Sequence, residues 1–174
     1  CCLCRDISER RLLEQSLRLT QFSVDNAPDI IFWLASDGRI VFANRALCQL
    51  LGYAPDEIQS MHIWDIDPST RGGLWQQVWE RGGDSQGILH EEVFIGKDGQ
   101  QYSVEMLSNH VKYGGNEYGI AVARDVTERK RTEQSLLLTQ STVENAPDAI
   151  LWLTPDGHIV FANRACCELL GYTP

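Results

Sequence analysis

Six cysteines, four histidines and a group of tryptophans are the residues of this 174-residue chain whose chemistry could matter first. Cys1, Cys2 and Cys4 crowd together, while Cys48, Cys166 and Cys167 fall on helical patterns. Taken together their spacings match no usual zinc site, so reduced, mostly buried thiols are expected rather than a metal centre. Glu91, Glu92 and Glu105 lie on strand patterns, where solubility or pairing with Lys97 or Lys112 accounts for them. The chain shows no glycine-rich phosphate loop and no Ser, His and Asp set in a recognisable context, so these residues are expected to be non-catalytic. Trp75 and Trp79, on a helical pattern from Gly73 to Arg81, and Trp64 just before it form an aromatic group suited to flat or cationic ligands.

Charge narrows the partners. A formal net charge of −9 argues against nucleic acid, which rewards clustered Lys and Arg. The most basic string, Arg129-Lys130-Arg131, is flanked by Glu128 and Glu133 and is expected to be a solvated helix face. No apolar run approaches the roughly 20 residues that span a bilayer, and no signal peptide opens the chain. A cytoplasmic location is expected, for a piece of a longer protein whose anchor, if any, lies elsewhere.

The elements that must position these residues are marked by a repeat. Ile40-Val41-Phe42-Ala43-Asn44-Arg45 returns as Ile159-Val160-Phe161-Ala162-Asn163-Arg164, and Leu50-Leu51-Gly52-Tyr53 returns as Leu169-Leu170-Gly171-Tyr172. Asp6 matches Asp125, and Pro55 matches Pro174, always 119 residues apart. About two thirds of positions 5 to 55 are identical to their partners, a period too long for a solenoid unit and suited to tandem domains. Residues 1–7 are then the last strand of an upstream unit, 8–23 a linker helix and 24–126 a complete unit. Residues 127–142 are a second linker helix and 143–174 a truncated following unit. A pairing of the strand Leu3 to Asp6 with Ile150 to Leu153 would cover the truncated unit's open edge.

Within the complete unit, Ile30 to Leu34 and Arg39 to Ala43 read as a hairpin around Ser36-Asp37-Gly38. Asn44 sits where an N-cap belongs and Gly52 where a helix stops. Pro55 to Ser60 is a second short helix, Met61 to Thr70 irregular, and Gly73 to Arg81 a helix. Three strands follow, Ile88 to Ile95, Gln100 to Val111 and Glu117 to Arg124, turning at Lys97-Asp98-Gly99 and Gly114-Gly115-Asn116. This is an α+β domain with one antiparallel sheet and short helices on one face. Its strands are apolar on both sides, so the outer face awaits a helix or a second subunit.

That order, with Leu50-Leu51-Gly52-Tyr53, Lys97-Asp98-Gly99 and the closing Arg124-Asp125-Val126-Thr127-Glu128-Arg129-Lys130, resembles a PAS domain of a bacterial multi-PAS sensor, most of all a sensor histidine kinase. The resemblance implies a five-stranded sheet in the order 2-1-5-4-3, and an input module for an output kinase, cyclase or transcriptional regulator. It also implies a homodimer through linker helices and outer sheet face. A purely structural spacer is the rival role.

The resemblance further implies a ligand pocket on the concave face. Its candidate lining is Phe32, Leu34, Leu50, Met61, Ile66, Trp75, Trp79 and Val93, with an apolar small molecule as ligand, while plain core filling is the favoured reading of the tryptophans; Ile31 and Trp33 are apolar enough to leave the register of the first strand open. Haem is disfavoured, since the helix from Gly73 to Arg81 carries no histidine while His62, His90 and His110 lie elsewhere. Flavin is disfavoured because Cys48 stands in Leu47-Cys48-Gln49 rather than in the Asn-Cys-Arg of flavin light sensors. Asp125 and Thr127 are the expected signal-coupling residues, and Asn44, Gly52 and Gly99 structural ones.

Overall fold

The computed structural model describes residues 3–83 and 87–172. They form two compact units, one ending at Thr127 and the other starting at Glu128. The first unit runs α1 (Leu3–Asp25), β1 (Ile30–Ala35), β2 (Ile40–Ala43), α2 (Arg45–Leu51), α3 (Pro55–Ile58) and α4 (Ile63–Ile66). After a 3-10 turn at Pro68–Thr70 come α5 (Leu74–Gly83), β3 (Ile88–Ile95), β4 (Gln101–Tyr113) and β5 (Asn116–Asp125). The five strands make one antiparallel sheet in the order β2-β1-β5-β4-β3.

Alternation along β1 decides which side is the core. Ile30, Phe32 and Leu34 are buried, and they share the inner face with Ala121 and Ala123 of β5, while Trp33 points outward. The short helices lie on that inner face, contributing Leu47, Leu51, Ile58, Ile63, Ile66, Trp75 and Trp79 to one core with Phe94, Val104 and Met106. Phe32 and Phe94 meet edge to face across it, ring centroids 5.9 Å apart.

Asn44 is the knot of the α1–β1–α2 corner. Its side chain is fully buried, and its Oδ1 accepts from the N–H groups of Ile31 (3.0 Å) and Leu47 (3.2 Å). Its Nδ2 donates to the carbonyls of Asp29 (2.9 Å) and Val24 (3.3 Å). One side chain thus caps α2, fixes the start of β1 and ties down the end of α1. At the far end of α2, Gly52 takes φ +75° and donates its N–H to the Cys48 carbonyl. Arg124 near the end of β5 makes a two-point ion pair with Asp29, just before β1, at 3.0 and 3.1 Å.

The second unit consists of the body of α6 (Thr127–Glu144), β6 (Leu151–Leu153), β7 (Ile159–Ala162) and α7 (Arg164–Leu170). β6 and β7 form a two-stranded hairpin. Asn163 repeats the work of Asn44, accepting from Ile150 and Cys166 and donating to the carbonyls of Val143, Ala146 and Asp148.

Two expectations meet a different structure. Leu3 to Asp6 form the first turn of α1 rather than a strand, so they do not pair with Ile150 to Leu153. Leu3 to Asp6 satisfy their backbone carbonyls within the helix that runs on to Asp25, so they are not available to a ladder. Met61 to Thr70 is not irregular, because Asp65 accepts from the His62 N–H (2.8 Å) and Asp67 from the Ser69 N–H (2.9 Å), winding α4 and the 3-10 turn. The side chains of Cys1, Cys2 and Cys4 lie outside the described residues.

Candidate functional site

Between the inner face of the sheet and α5 lies a cavity of about 90 Å³. Three walls build it. β1 supplies Phe32 and Leu34, α5 supplies Trp75, Val78 and Trp79, and β5 supplies Gly119, Ile120 and Ala121. The fourth side is polar: Asp67 and Ser69 from the 3-10 turn, His90 and Glu92 from β3, and Ser108 and His110 from β4.

The aromatic wall is held rigidly. Trp75 Nε1 donates to the Ser36 carbonyl at 2.9 Å, and its ring lies 5.5 Å from that of Trp79. Trp79 in turn rests against the His110 imidazole at 4.2 Å. Burial pushes the His110 pKa down, so the ring facing Trp79 is held toward its neutral form. On the floor, a Cβ at Gly119 would come within 3.3 Å of Trp79 Cζ3, so glycine lets the strand approach the ring closely.

The polar side carries two carboxyls whose pKa values both lie above the ordinary range. For Asp67 burial is the main cause, opposed by the hydrogen bonds from Ser69. For Glu92 burial again leads, with the nearby Asp67 adding to it. Ser69 sits between them, its N–H donating to Asp67 Oδ1 (2.9 Å) and its hydroxyl to Glu92 Oε2 (3.2 Å).

Of the residues expected to line a pocket, the structure brings Phe32, Leu34, Trp75 and Trp79 together at this cavity. Ile66 is fully buried in the core beside it, and Leu50 and Met61 pack against that core from other directions. Val93 is 43% exposed on the outer face. The reason is the parity of β3: Phe94 is fully buried, so Glu92 and His90, two and four positions earlier, come inward with it. Hydrophobicity alone picks Val93, whereas the large aromatic residue next to it sets the register. His90, Glu92, His110 and Asp67 were thus missed as cavity residues. Trp64 stands apart from the cavity, stacked on His62 at 4.5 Å under the Gly38 turn. Cys48 is buried in the core, where burial raises its thiol pKa and keeps it unreactive.

β5 runs from the cavity to the edge of the unit. Gly119, Ile120 and Ala121 touch the cavity, and four residues later Asp125 Oδ1 accepts from the Thr127 N–H at 2.9 Å and the Thr127 hydroxyl at 2.5 Å. The Thr127 oxygen accepts from the Ser103 N–H (2.9 Å), and the Val126 N–H donates to the Ser103 carbonyl (2.9 Å). The junction from strand to α6 is therefore stitched to β4 as well.

The cavity of about 90 Å³ is small beside the roughly 300–1,000 Å³ of drug-sized ligand sites. The helix over it, Leu-Trp-Gln-Gln-Val-Trp-Glu-Arg-Gly-Gly, offers no histidine.

Comparison with known proteins gives a consistent picture. A PAS domain family model matches residues 28–128, and a second PAS domain model matches residues 137–173. Sporulation kinase E of Bacillus subtilis is 26% identical over 95% of this chain, and Oxygen sensor protein DosP of Escherichia coli is 26% identical over 85% of it. The matched stretch is 23% of the first relative and 21% of the second, so the chain spans under a quarter of their length. Among solved structures, the PAS domain of an HTR-like protein from Haloarcula marismortui superposes with a TM-score of 0.62 at 29% identity, covering 69% of this chain and 98% of that one.

Proposed function

This chain belongs to the PAS-domain family and is a sensory input module, and on that premise we propose that a small molecule in the β1–α5–β5 cavity is its signal. The observation that carries the proposal is one strand. β5 forms the cavity floor with Gly119, Ile120 and Ala121 and ends in Asp125, whose carboxylate holds the first residue of α6. Any ligand that displaces the floor acts on the same rigid strand that sets the start of the helix.

In this reading Asp125 and Thr127 couple strand to helix, and Phe32, Leu34, Trp75 and Trp79 form the apolar share of the site. Leu50, Met61, Ile66 and Val93 support the domain without touching the ligand. The ligand is neither haem nor flavin. The output belongs to a longer parent, a histidine kinase in the first instance or a diguanylate cyclase. Relatives named Sporulation kinase E and Diguanylate cyclase DgcM support both. The parent works in the cytoplasm, in keeping with the free thiols of Cys48, Cys166 and Cys167. Among the described residues, no helix is long and apolar enough to cross a membrane.

Dimerisation is part of the proposal. Leu12, Leu13, Leu17 and Phe22 of α1 are exposed, as are Trp33, Leu107 and Val122 on the outer sheet face. A second copy of the chain would cover both.

Native mass spectrometry of the chain, as isolated and after incubation with a small-molecule set, tests the ligand reading. A bound species lost on filling the cavity with Gly119→Leu supports it. A chain that takes up nothing leaves the spacer role.

A further inference from the structure

We propose that the cavity takes a small protonated alkylamine, its ammonium held between Asp67 and Glu92 and its alkyl part against Trp75 and Trp79. This rests on the reading of the cavity as the ligand site.

Two acids from separate elements reach one small hole. Asp67 comes from the turn after α4 and is buried, while Glu92 comes from β3 with its side chain 25% exposed. Burial raises the pKa of both carboxyls, a sign that their charge lacks sufficient compensation there. The charged and titratable groups around them are few. His90 Nε2 lies 3.9 Å from Glu92 Oε1, and His110 stands across the cavity with Glu117 beyond it. α5 presents Trp75, Val78 and Trp79, none of them charged, and no Lys or Arg lines the cavity among the described residues.

An ammonium supplies what this arrangement lacks. Its N–H groups would donate to carboxylate oxygens that now share Ser69, and its charge would offset both acids. The faces of Trp75 and Trp79 attract cations in addition to excluding water. An apolar ligand would add no cation to the Ser69 and His90 contacts the carboxyls already have, and an anion would be repelled. Among the described residues no group of three or more His, Cys, Asp and Glu side chains could hold a metal ion, so the cation has to bring its own hydrogen-bond donors. Size sets the rest. The cavity is smaller than the roughly 150 Å³ void that admits benzene, so the ligand has fewer heavy atoms than benzene, about three to five.

The proposal also fixes a proton linkage. Cation binding draws the raised carboxyl pKa values down, so protons leave as the amine enters and affinity rises as the pH climbs from the ordinary carboxyl range, about 4, through the raised values.

The test compares tert-butylammonium chloride with its near-isostere tert-butanol and with sodium acetate, on the full 174-residue chain. Titration is followed by the indole N–H resonances of Trp75 and Trp79 and by calorimetry in two buffers of different ionisation enthalpy. The expected result is saturable binding of the ammonium alone, with proton release, weakened about tenfold or more in Glu92→Gln. The melting transition of that variant confirms that it is folded. Equal or tighter binding of tert-butanol, or ammonium binding unchanged in both Glu92→Gln and Asp67→Asn, overturns the amine inference and leaves the cavity as a ligand site. If none of the three probes binds, the amine inference falls; if the native mass spectra also show no ligand, so does the cavity reading.

Discussion

Asp125 and Thr127 are joined twice through a single oxygen, the carboxylate Oδ1 of the strand residue accepting both the backbone N–H and the hydroxyl of the helix residue. The first residue of the exit helix is therefore held directly by the last strand. Because Thr127 also accepts from Ser103, the joint spans β4 and β5 together.

Asp125→Ala removes the acceptor for the first N–H of α6 and should cost about 1 kcal/mol in urea unfolding. Asp125→Asn keeps an acceptor oxygen and should cost less. Thr127→Val leaves the Ser103 N–H without its partner and should cost about 1–3 kcal/mol. Equal stability of all three variants and the parent chain would mean that the joint is ornamental.

Asn44→Ala should be among the most damaging single changes in the unit. It strands the N–H groups of Ile31 and Leu47 and the carbonyls of Asp29 and Val24, at about 1–3 kcal/mol for each group left buried and unpaired. A loss of about 3 kcal/mol or more is expected by denaturant titration. Asn44→Asp keeps the acceptor but sets a buried carboxylate against the carbonyls of Asp29 and Val24, so at neutral pH it should cost at least as much as Asn44→Ala.

Glycine substitutions separate crowding from backbone strain. Gly38 has φ +82°, and a Cβ there would lie 2.5 Å from Trp64 Cζ3, so Gly38→Ala must move the indole as well as bear the left-handed backbone. Gly99 has the same φ with nothing within 4 Å, so Gly99→Ala should cost only the conformational part, about 1–2 kcal/mol. A larger loss for Gly38→Ala, together with a shift in tryptophan fluorescence, is the expected pattern.

Much of the architecture was legible in the sequence because its signals are local and repeated. Asn44 before an apolar helical face, Gly52 after it, and the Asp-Gly hairpins each specify a cap or turn that needs no distant partner. The strand order came from the likeness to a family, and the structure has it. The cavity was legible only in part. Its apolar wall, Phe32, Leu34, Trp75 and Trp79, announces itself by residue type, but the polar wall depends on the parity of β3. There the polar His90 and Glu92 face inward and the apolar Leu89 and Val93 face out, the reverse of what hydrophobicity suggests. Leu3 to Asp6 failed for another reason: strand character in a repeat partner means little where the residues that follow carry the helix back through them.

Glu92→Gln should stabilise the chain at neutral pH. The folded carboxyl pKa lies above its unfolded value, so the contribution is most favourable below the ordinary carboxyl range, about 4.3, and is lost as pH rises through the folded value. Removing the charge therefore raises the melting temperature at pH 7, by about 4 °C for each kcal/mol relieved in a domain of this size. The gain should shrink to nothing near pH 4, with a residual slope from Asp67, whose pKa is raised in the same direction. A gain independent of pH would point to packing instead of charge.

The account as a whole holds that occupancy of the cavity is felt at the start of α6 through β5. Amide hydrogen exchange measures that directly, in the parent chain and in Asp125→Ala, at saturating concentration of whichever of tert-butylammonium or tert-butanol the cavity binds. The prediction is altered exchange at both residues 119–121 and residues 127–130 in the parent chain, with only the first response surviving in Asp125→Ala. Exchange at residues 127–130 that ignores a filled cavity, or a response there that persists without Asp125, would contradict it.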